Sequence, residues 1–518
     1  MTNGSDDPEL VARLEQRAYD LMQQRDVHSL RQVGEAAVWF ESGGARGRAV
    51  AVLAPHGSAE RDGAVMARFA GAGAGRVEDA GDGLALLHVP VGPGTAAALR
   101  EVLPNLQPAP LGLVTSAGFG DRLGMATPGH VAAMVRAGAT GQIGPIFAQQ
   151  SIREMTRTKR SAQEVMDDAT IGAFEAGWSL PVGADADHLK TPEHVLTCVA
   201  AGFTFFTIDP SEHVDDEAEA ADDETLRSKV AALPWSRLED DWASLRSRFL
   251  AGPLDADGVS IAFDEHTLAR AAAKYGAALA HTADLHRVVA GTGAPFELEL
   301  SVDETSYPTT LEEHAYIALE LKRLGVPVVS LAPRFVGRFE KGVDFRGDLA
   351  ALVASLAGHA AVARAFGPYK LSLHSGSDKF SVYGPIAEAT DGMVHLKTAG
   401  TSYLEALRVA SRVAPELFRR ALAIGHERFE VDRKSYLIGA RLEKVPQPGE
   451  VPDAELPHLL DDDDARQVLH VTFGSALDAL GGELKALLTE HAEAHEDGLA
   501  RHFVRHLAPF VPYAGVKS

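Results

Sequence analysis

The sequence predicts an α/β protein: a (β/α)8 barrel of the TIM type with an N-terminal appendage and a C-terminal helical cap. Three observations predict it. From about residue 110 onward, short apolar stretches alternate with segments of helical periodicity, the order of a parallel α/β protein. Eight strand-then-helix units fit into nearly 300 residues, the count that closes a barrel. Several of these strands run into turns dense in His, Lys, Asp and Gly, where a parallel barrel gathers its reactive groups. The expected organisation is an appendage of unassigned role over 1–108, a catalytic barrel over 109–403 with an acidic insertion near 211–250, and a helical segment over 404–518.

In the appendage an amphipathic helix over about 8–25 precedes strand-like stretches at 48–53 and 84–89. The Gly-rich run 71–75 lacks a strand–turn–helix setting and reads as a flexible linker. The barrel strands are expected at 111–115, 145–149, 178–184, 203–208, 296–302, 327–331, 369–374 and 392–397. An open doubly wound sheet is the competing fold. However, the turn Gly118-Phe119-Gly120-Asp121-Arg122-Leu123-Gly124 misses the dinucleotide spacing, and it puts Asp-Arg where a pyrophosphate needs bare backbone. No nicotinamide cofactor is expected. After 404 the pattern turns helical, and His470, His491, His495 and His506 read as core or surface histidines of a cap.

The chain has 518 residues, 46% of them hydrophobic, and a formal charge of −23. That charge repels nucleic acid and anionic membranes at long range, so neither is expected as a partner, and an anionic substrate needs local cations. No apolar run of about 18 residues and no basic-then-apolar leader is expected, which points to the cytoplasm. The single cysteine, Cys198, lies in a helical pattern and reads as a buried structural thiol. A homo-oligomer is compatible with all of this.

Five strand ends carry more chemistry than packing requires. In 369–374 Leu371 and Leu373 alternate with Lys370, Ser372 and His374; in 393–397 Val394 and Leu396 alternate with His395 and Lys397. The third strand leads into Asp185-Ala186-Asp187-His188, and an Asp beside a His can place a base and a ligand around one metal ion. The fifth alternates Leu298, Leu300 and Val302 with Glu297, Glu299, Ser301 and Asp303, acidic groups that are costly to bury unless they meet cations, a metal or a substrate. The sixth leads to Glu340, bracketed by Gly337 and Gly342, so that the loop can bend it back over the barrel mouth; an ordinary surface pair with Lys341 accounts for it equally well. His188, His374, His395 and Glu340 form a pool of N/O ligands suited to one Zn²⁺, Mn²⁺, Co²⁺ or Ni²⁺ ion.

The stretches 118–124, 183–190, 302–305 with Pro308-Thr309-Thr310, 330–337 and 370–380 closely resemble the tagaturonate epimerase family, over roughly 110–475. The pair Asp187-His188 and Leu373-His374-Ser375-Gly376-Ser377 also looks like the metal centre of class II aldolases. The family resemblance implies a divalent-metal isomerase that interconverts D-tagaturonate and D-fructuronate in hexuronate catabolism. A metal-dependent aldolase or isomerase acting on another sugar acid is the alternative.

With the ketone called C2, the two ketouronates differ at C4, which is β to the carbonyl and carries no acidic C–H. Retro-aldol cleavage of C3–C4 and re-addition is then the expected route, because it needs no nicotinamide. The expected metal ligands are His188, Glu340 and His374, with His395 the alternative to Glu340. Proton transfer is assigned to Asp187 and Glu299, the latter on the expectation that crowding and burial raise its pKa; Asp303 and Glu304 are the alternatives. Arg122, Gln149, Lys370, His395 and Lys397 are expected to bind the small anionic substrate.

Overall fold

The structure, a computed structural model, describes residues 7–22, 27–42, 47–398 and 400–514. Near the N-terminus the helix Pro8–Met22 buries Leu14, Ala18 and Met22, spaced four apart on one face. They pack on an antiparallel sheet of β1 (Arg31–Val33), β2 (Ala36–Glu41), β3 (Ala49–Pro55), β4 (Arg76–Gly81) and β5 (Leu84–Pro90), in the order β1-β2-β3-β5-β4. Ala37, Trp39, Ala51 and Leu53 face that helix, whereas Val38, Phe40, Val50 and Val52 join the main core of the protein. Burial on both faces explains why β2 and β3 are apolar almost without interruption.

The central body is a closed barrel of eight parallel strands, as the sequence predicts. They are β6 (Ser116–Gly120), β7 (Gly144–Ser151), β8 (Gly183–Leu189), β9 (Phe205–Ile208), and, after a short hairpin of β10 (Leu254–Ala256) and β11 (Val259–Ile261), β12 (Glu297–Ser301), β13 (Ser330–Ala332), β14 (Lys370–Leu373) and β15 (Val394–Lys397). The first strand lies five residues later than expected. Residues 111–115 instead form a turn beneath the barrel, where the backbone N–H groups of Leu111 and Gly112 donate to Glu297 at 3.0 and 2.7 Å. The third strand also shifts, from 178–184 to Gly183–Leu189, which puts Asp187 and His188 inside the strand. Its inward acidic residues hid it from a search for apolar runs.

Between β9 and β12 stand several short helices, the hairpin and the 27-residue helix Glu265–Gly291. Lys274 of that helix is fully buried and fastens the acidic stretch to the barrel by pairing with Glu219 at 2.8 Å and Glu313 at 3.1 Å. The helix Leu349–Phe366, between β13 and β14, is long and apolar enough to cross a membrane by composition (mean hydropathy 1.6), contrary to the expectation that no such run exists. It is one of the barrel's outer helices, and Leu352 and Leu356 are buried in the main core.

Beyond the barrel, helices Thr401–Val413, Pro415–Asp432, Asp463–Val471 and Phe473–Glu490 share a second core built on Leu404, Phe418, Leu422, Phe429, Leu469 and Phe473. The helix Ala492–Leu507 returns to the first barrel helix, Thr127–Arg136. Contact there is so close that a Cβ on Gly129 would stand 2.5 Å from Leu499 Cβ. The same returning helix is tied to the turn after β14. Asp378 meets Arg466 at 2.6 Å and His502 at 3.1 Å, and its N–H donates to His506 Nε2 at 3.1 Å.

Candidate active site

Alternation along three strands fills the barrel interior with polar groups. On β12 Glu297, Glu299 and Ser301 turn inward; on β14 Lys370 and Ser372 do so, with His374 just beyond; on β15 His395 and Lys397. Strand β8 reaches the same interior differently. Its pairing with β9 slips between Ala186 and Leu189, and His188 takes a left-handed backbone at φ 55°. Successive residues of a regular strand face opposite ways, so this bulge is what lets Asp187 and His188 approach the same site.

Lys397 is the hub of the deeper layer. Its Nζ lies 2.7 Å from Asp187, 3.0 Å from Asp185, 2.9 Å from Glu299 and 2.6 Å from the Thr207 hydroxyl. Burial opposes its charge, but the three carboxylates outweigh burial and raise its pKa. The expectation that Glu299 carries a raised pKa meets the opposite environment. Burial pushes it up, yet Lys397 and His374 hold it well below the ordinary carboxylate range, so it is ionised. Asp187 is depressed likewise by His188 and Lys397, against the effect of burial.

Above this layer His188, Asp303 and His374 place ligand-type atoms within 4.8 Å of one another. Asp187 Oδ1 is 2.7 Å from Nδ1 of His188, and Glu299 Oε1 is 2.7 Å from Nε2 of His374. The other nitrogens face the opening: His374 Nδ1 is 3.1 Å from Asp303, and His188 Nε2 is 3.8 Å from Glu304. A carboxylate behind each imidazole is the support that metal-binding histidines use. Burial alone would depress His374, but Asp303 and Glu299 push it up to about 10. The site thus favours positive charge between these carboxylates, whether carried by a proton or a metal ion, and its N/O donors fit a divalent cation.

The other expected residues fall in three places. Gln149 Nε2 lies 3.4 Å from Asp187, beside the hub. Lys370 and His395 sit deeper, both on the Ser116 hydroxyl at 3.0 and 2.9 Å, and burial lowers the pKa of each. Glu340 and Arg122 are not brought together with the histidines. Glu340 is fully buried among Arg338 (2.5 Å), Arg346 (3.5 Å), the Gly439 N–H (2.9 Å) and Gln467 (3.2 Å), which take up its oxygens. Arg122 pairs with Glu154 at 2.7 Å and lies over the Phe473 ring at 3.7 Å, where the barrel meets the cap. Asp185 and Thr207 were passed over in the sequence, although the period-two spacing from Asp187 points to Asp185. A cavity of about 560 Å³ opens above Asp303 and His374, with Arg153, Arg334, Lys341 and Tyr436 in its walls.

The sequence profile of the tagaturonate epimerase family matches residues 72–510. The chain belongs to that family. It is 44% identical over 411 residues to the tagaturonate/fructuronate epimerase of Thermotoga maritima, covering 79% of this chain and 83% of that protein. Crystal structures of the fructuronate-tagaturonate epimerase of Cohnella laeviribosi, native and glycerol-complexed, superimpose with a TM-score of 0.85 at 32% identity, covering 96% of this chain and 99% of theirs. The likeness therefore reaches past the 110–475 visible in the motifs and takes in much of the N-terminal sheet. As a tagaturonate epimerase family member the chain is an enzyme of the isomerase class.

Proposed function

We propose that this epimerase interconverts D-tagaturonate and D-fructuronate by inverting C4 through retro-aldol cleavage and re-addition, within hexuronate catabolism. The observation that carries the reading is the convergence of His188, Asp303 and His374 at the barrel mouth, each imidazole backed by its own carboxylate. These three would hold one divalent ion, Asp303 taking the place expected for Glu340. Such an ion supplies positive charge for oxygens that become negative during the reaction.

The protein's own groups account for the remaining requirements. Asp187 is ionised, as a base for the C4 hydroxyl must be, and Lys397 and His188 fix its position at 2.7 Å each. As the O4 proton passes to Asp187, the C3–C4 electron pair remains on C3 as an enediolate and C4 becomes an aldehyde. Rotation of the aldehyde fragment and re-addition to its other face returns the proton to O4. The balance needs no net proton donor, which suits an ionised Glu299 whose part is to orient His374. Gln149, Lys370, His395 and Lys397 line the interior against which the polyol rests. The single buried Cys198, its thiol pushed up to about 12 by burial, suits a reducing cytoplasm.

Incubation of protein loaded with Mn²⁺, Zn²⁺, Co²⁺ or Ni²⁺ with fructuronate, followed by NMR, tests this. An isomer of equal mass is expected, while accumulation of two fragments would mark an aldolase instead.

A further inference from the structure

The cavity above Asp303 and His374 also has a cationic lining, and neither the proton transfer nor the metal site uses it. Arg153, Arg334, Lys341 and Lys434 converge on this one cavity, whose acidic lining residues are Asp303 and Glu304. In a chain of net charge −23 such a concentration is against composition. Arg334 is held at the rim by donating to the Asp303 carbonyl at 3.2 Å, and Arg153 lies over the Tyr436 ring at 4.9 Å. Among the described residues neither Lys341 nor Lys434 has a carboxylate within salt-bridge distance, so their charges face the cavity unneutralised.

The two lysines come from distant parts of the chain, and Glu340 explains how they share a wall. Its carboxylate accepts from the Gly439 N–H at 2.9 Å and from Gln467 at 3.2 Å, while Gln467 also donates to the Lys341 carbonyl at 3.1 Å. The loop after β13 is thereby clamped to the segment of the cap that carries Lys434 and Tyr436. Resting on the epimerase reading above, we infer that Lys341 and Lys434, with Arg334 and Arg153, form the subsite for the substrate's carboxylate. The uronate lies with its keto end toward His188 and His374 and its carboxylate toward the cap, which places C4 between them. The cap thus selects the sugar acid over the neutral ketose.

The test is steady-state kinetics of the metal-loaded full chain on fructuronate, with Lys341→Met, Lys434→Met and the double variant. Each single change is expected to raise KM roughly tenfold with kcat within about threefold, because a charge-assisted contact made equally in ground and transition states is lost. Lys434→Arg should restore most of the loss, Lys434→Glu should deepen it, and the rise of KM with added salt should flatten in the double variant. A merely structural role predicts neither the rescue nor the flattened salt dependence. A double variant with wild-type KM and wild-type salt dependence overturns the subsite while leaving the epimerase reading intact. Failure of the unaltered protein to convert fructuronate overturns the epimerase reading itself.

Discussion

Replacing Lys397 by methionine keeps the side chain's length and removes its charge, which isolates what the hub does for the fold. Four oxygens stand within 3.0 Å of Nζ, and they do not suffer equally. Asp187 keeps His188 at 2.7 Å, and Glu299 keeps His374 at 2.7 Å. Asp185 is fully buried and keeps only the Thr207 hydroxyl at 3.0 Å and His395 at 3.7 Å, so it is the carboxylate left without a close cation. Breaking a buried ion pair from one side costs about 3–5 kcal/mol, a large share of the roughly 5–15 kcal/mol that holds a folded protein together. A stranded carboxylate sheds that cost by taking up a proton, so the deficit should be greatest near pH 8 and narrow toward pH 5. Urea unfolding of chelator-treated wild-type and Lys397→Met protein, followed by circular dichroism at both pH values, measures it. A deficit below about 1 kcal/mol, or one that is the same at both pH values, refutes the reasoning.

Other outcomes follow from the same geometry. Asp187→Asn should lower kcat by about 10²–10⁴ while metal content stays near normal; epimerisation at the wild-type rate would show that another group is the base. Asp303→Asn should lose bound metal where Glu340→Gln retains it, as read by elemental analysis after desalting; the reverse pattern restores Glu340 as the ligand. Three buried histidines should make the protein acid-sensitive. Burial lowers His130 to about 3 and His359 and His495 to about 4, so each is neutral in the fold while the unfolded chain takes up a proton below about 6.5. The unfolded state therefore gains as pH drops, by about 1.4 kcal/mol per histidine per unit between about 6.5 and 4, and melting temperatures that stay level from pH 7 to pH 5 would contradict this.

The sequence was most legible where backbone period and side-chain chemistry coincide. The alternation of Lys370, Ser372 and His374 with leucines, and of His395 and Lys397 with Val394 and Leu396, sets which groups face inward before any fold is known. It was least legible where a local departure does the work. The φ of His188 and the slipped register around it leave no trace in a pattern search, and the inward acidic residues of the same strand hid it from a search for apolar runs, which placed it five residues early. Glu340 shows a different limit. Two flanking glycines and a strand end describe a residue that can reach the site, but its partners, Gly439 and Gln467, are brought there only by the tertiary fold. For Glu299 the crowding of carboxylates was correct and the inferred pKa direction was not, because Lys397 comes from a strand that is not adjacent to β12 in the barrel.

The contact between Gly129 and Leu499 also orders events in time. The helix that covers the first barrel helix leaves the ribosome long after it, and the last barrel strand, β15, is the one that pairs with the first, β6. Until that strand emerges, β6 has an open edge on one side; until the returning helix arrives, the apolar surface around Phe119, which meets the Phe503 ring edge to face, faces water. A nascent chain of this enzyme thus carries an unfinished seam until the returning helix has been made. Arrest of translation before β15 therefore leaves an exposed strand edge, and arrest before the returning helix an exposed apolar face, each a ready substrate for chaperones or for aggregation.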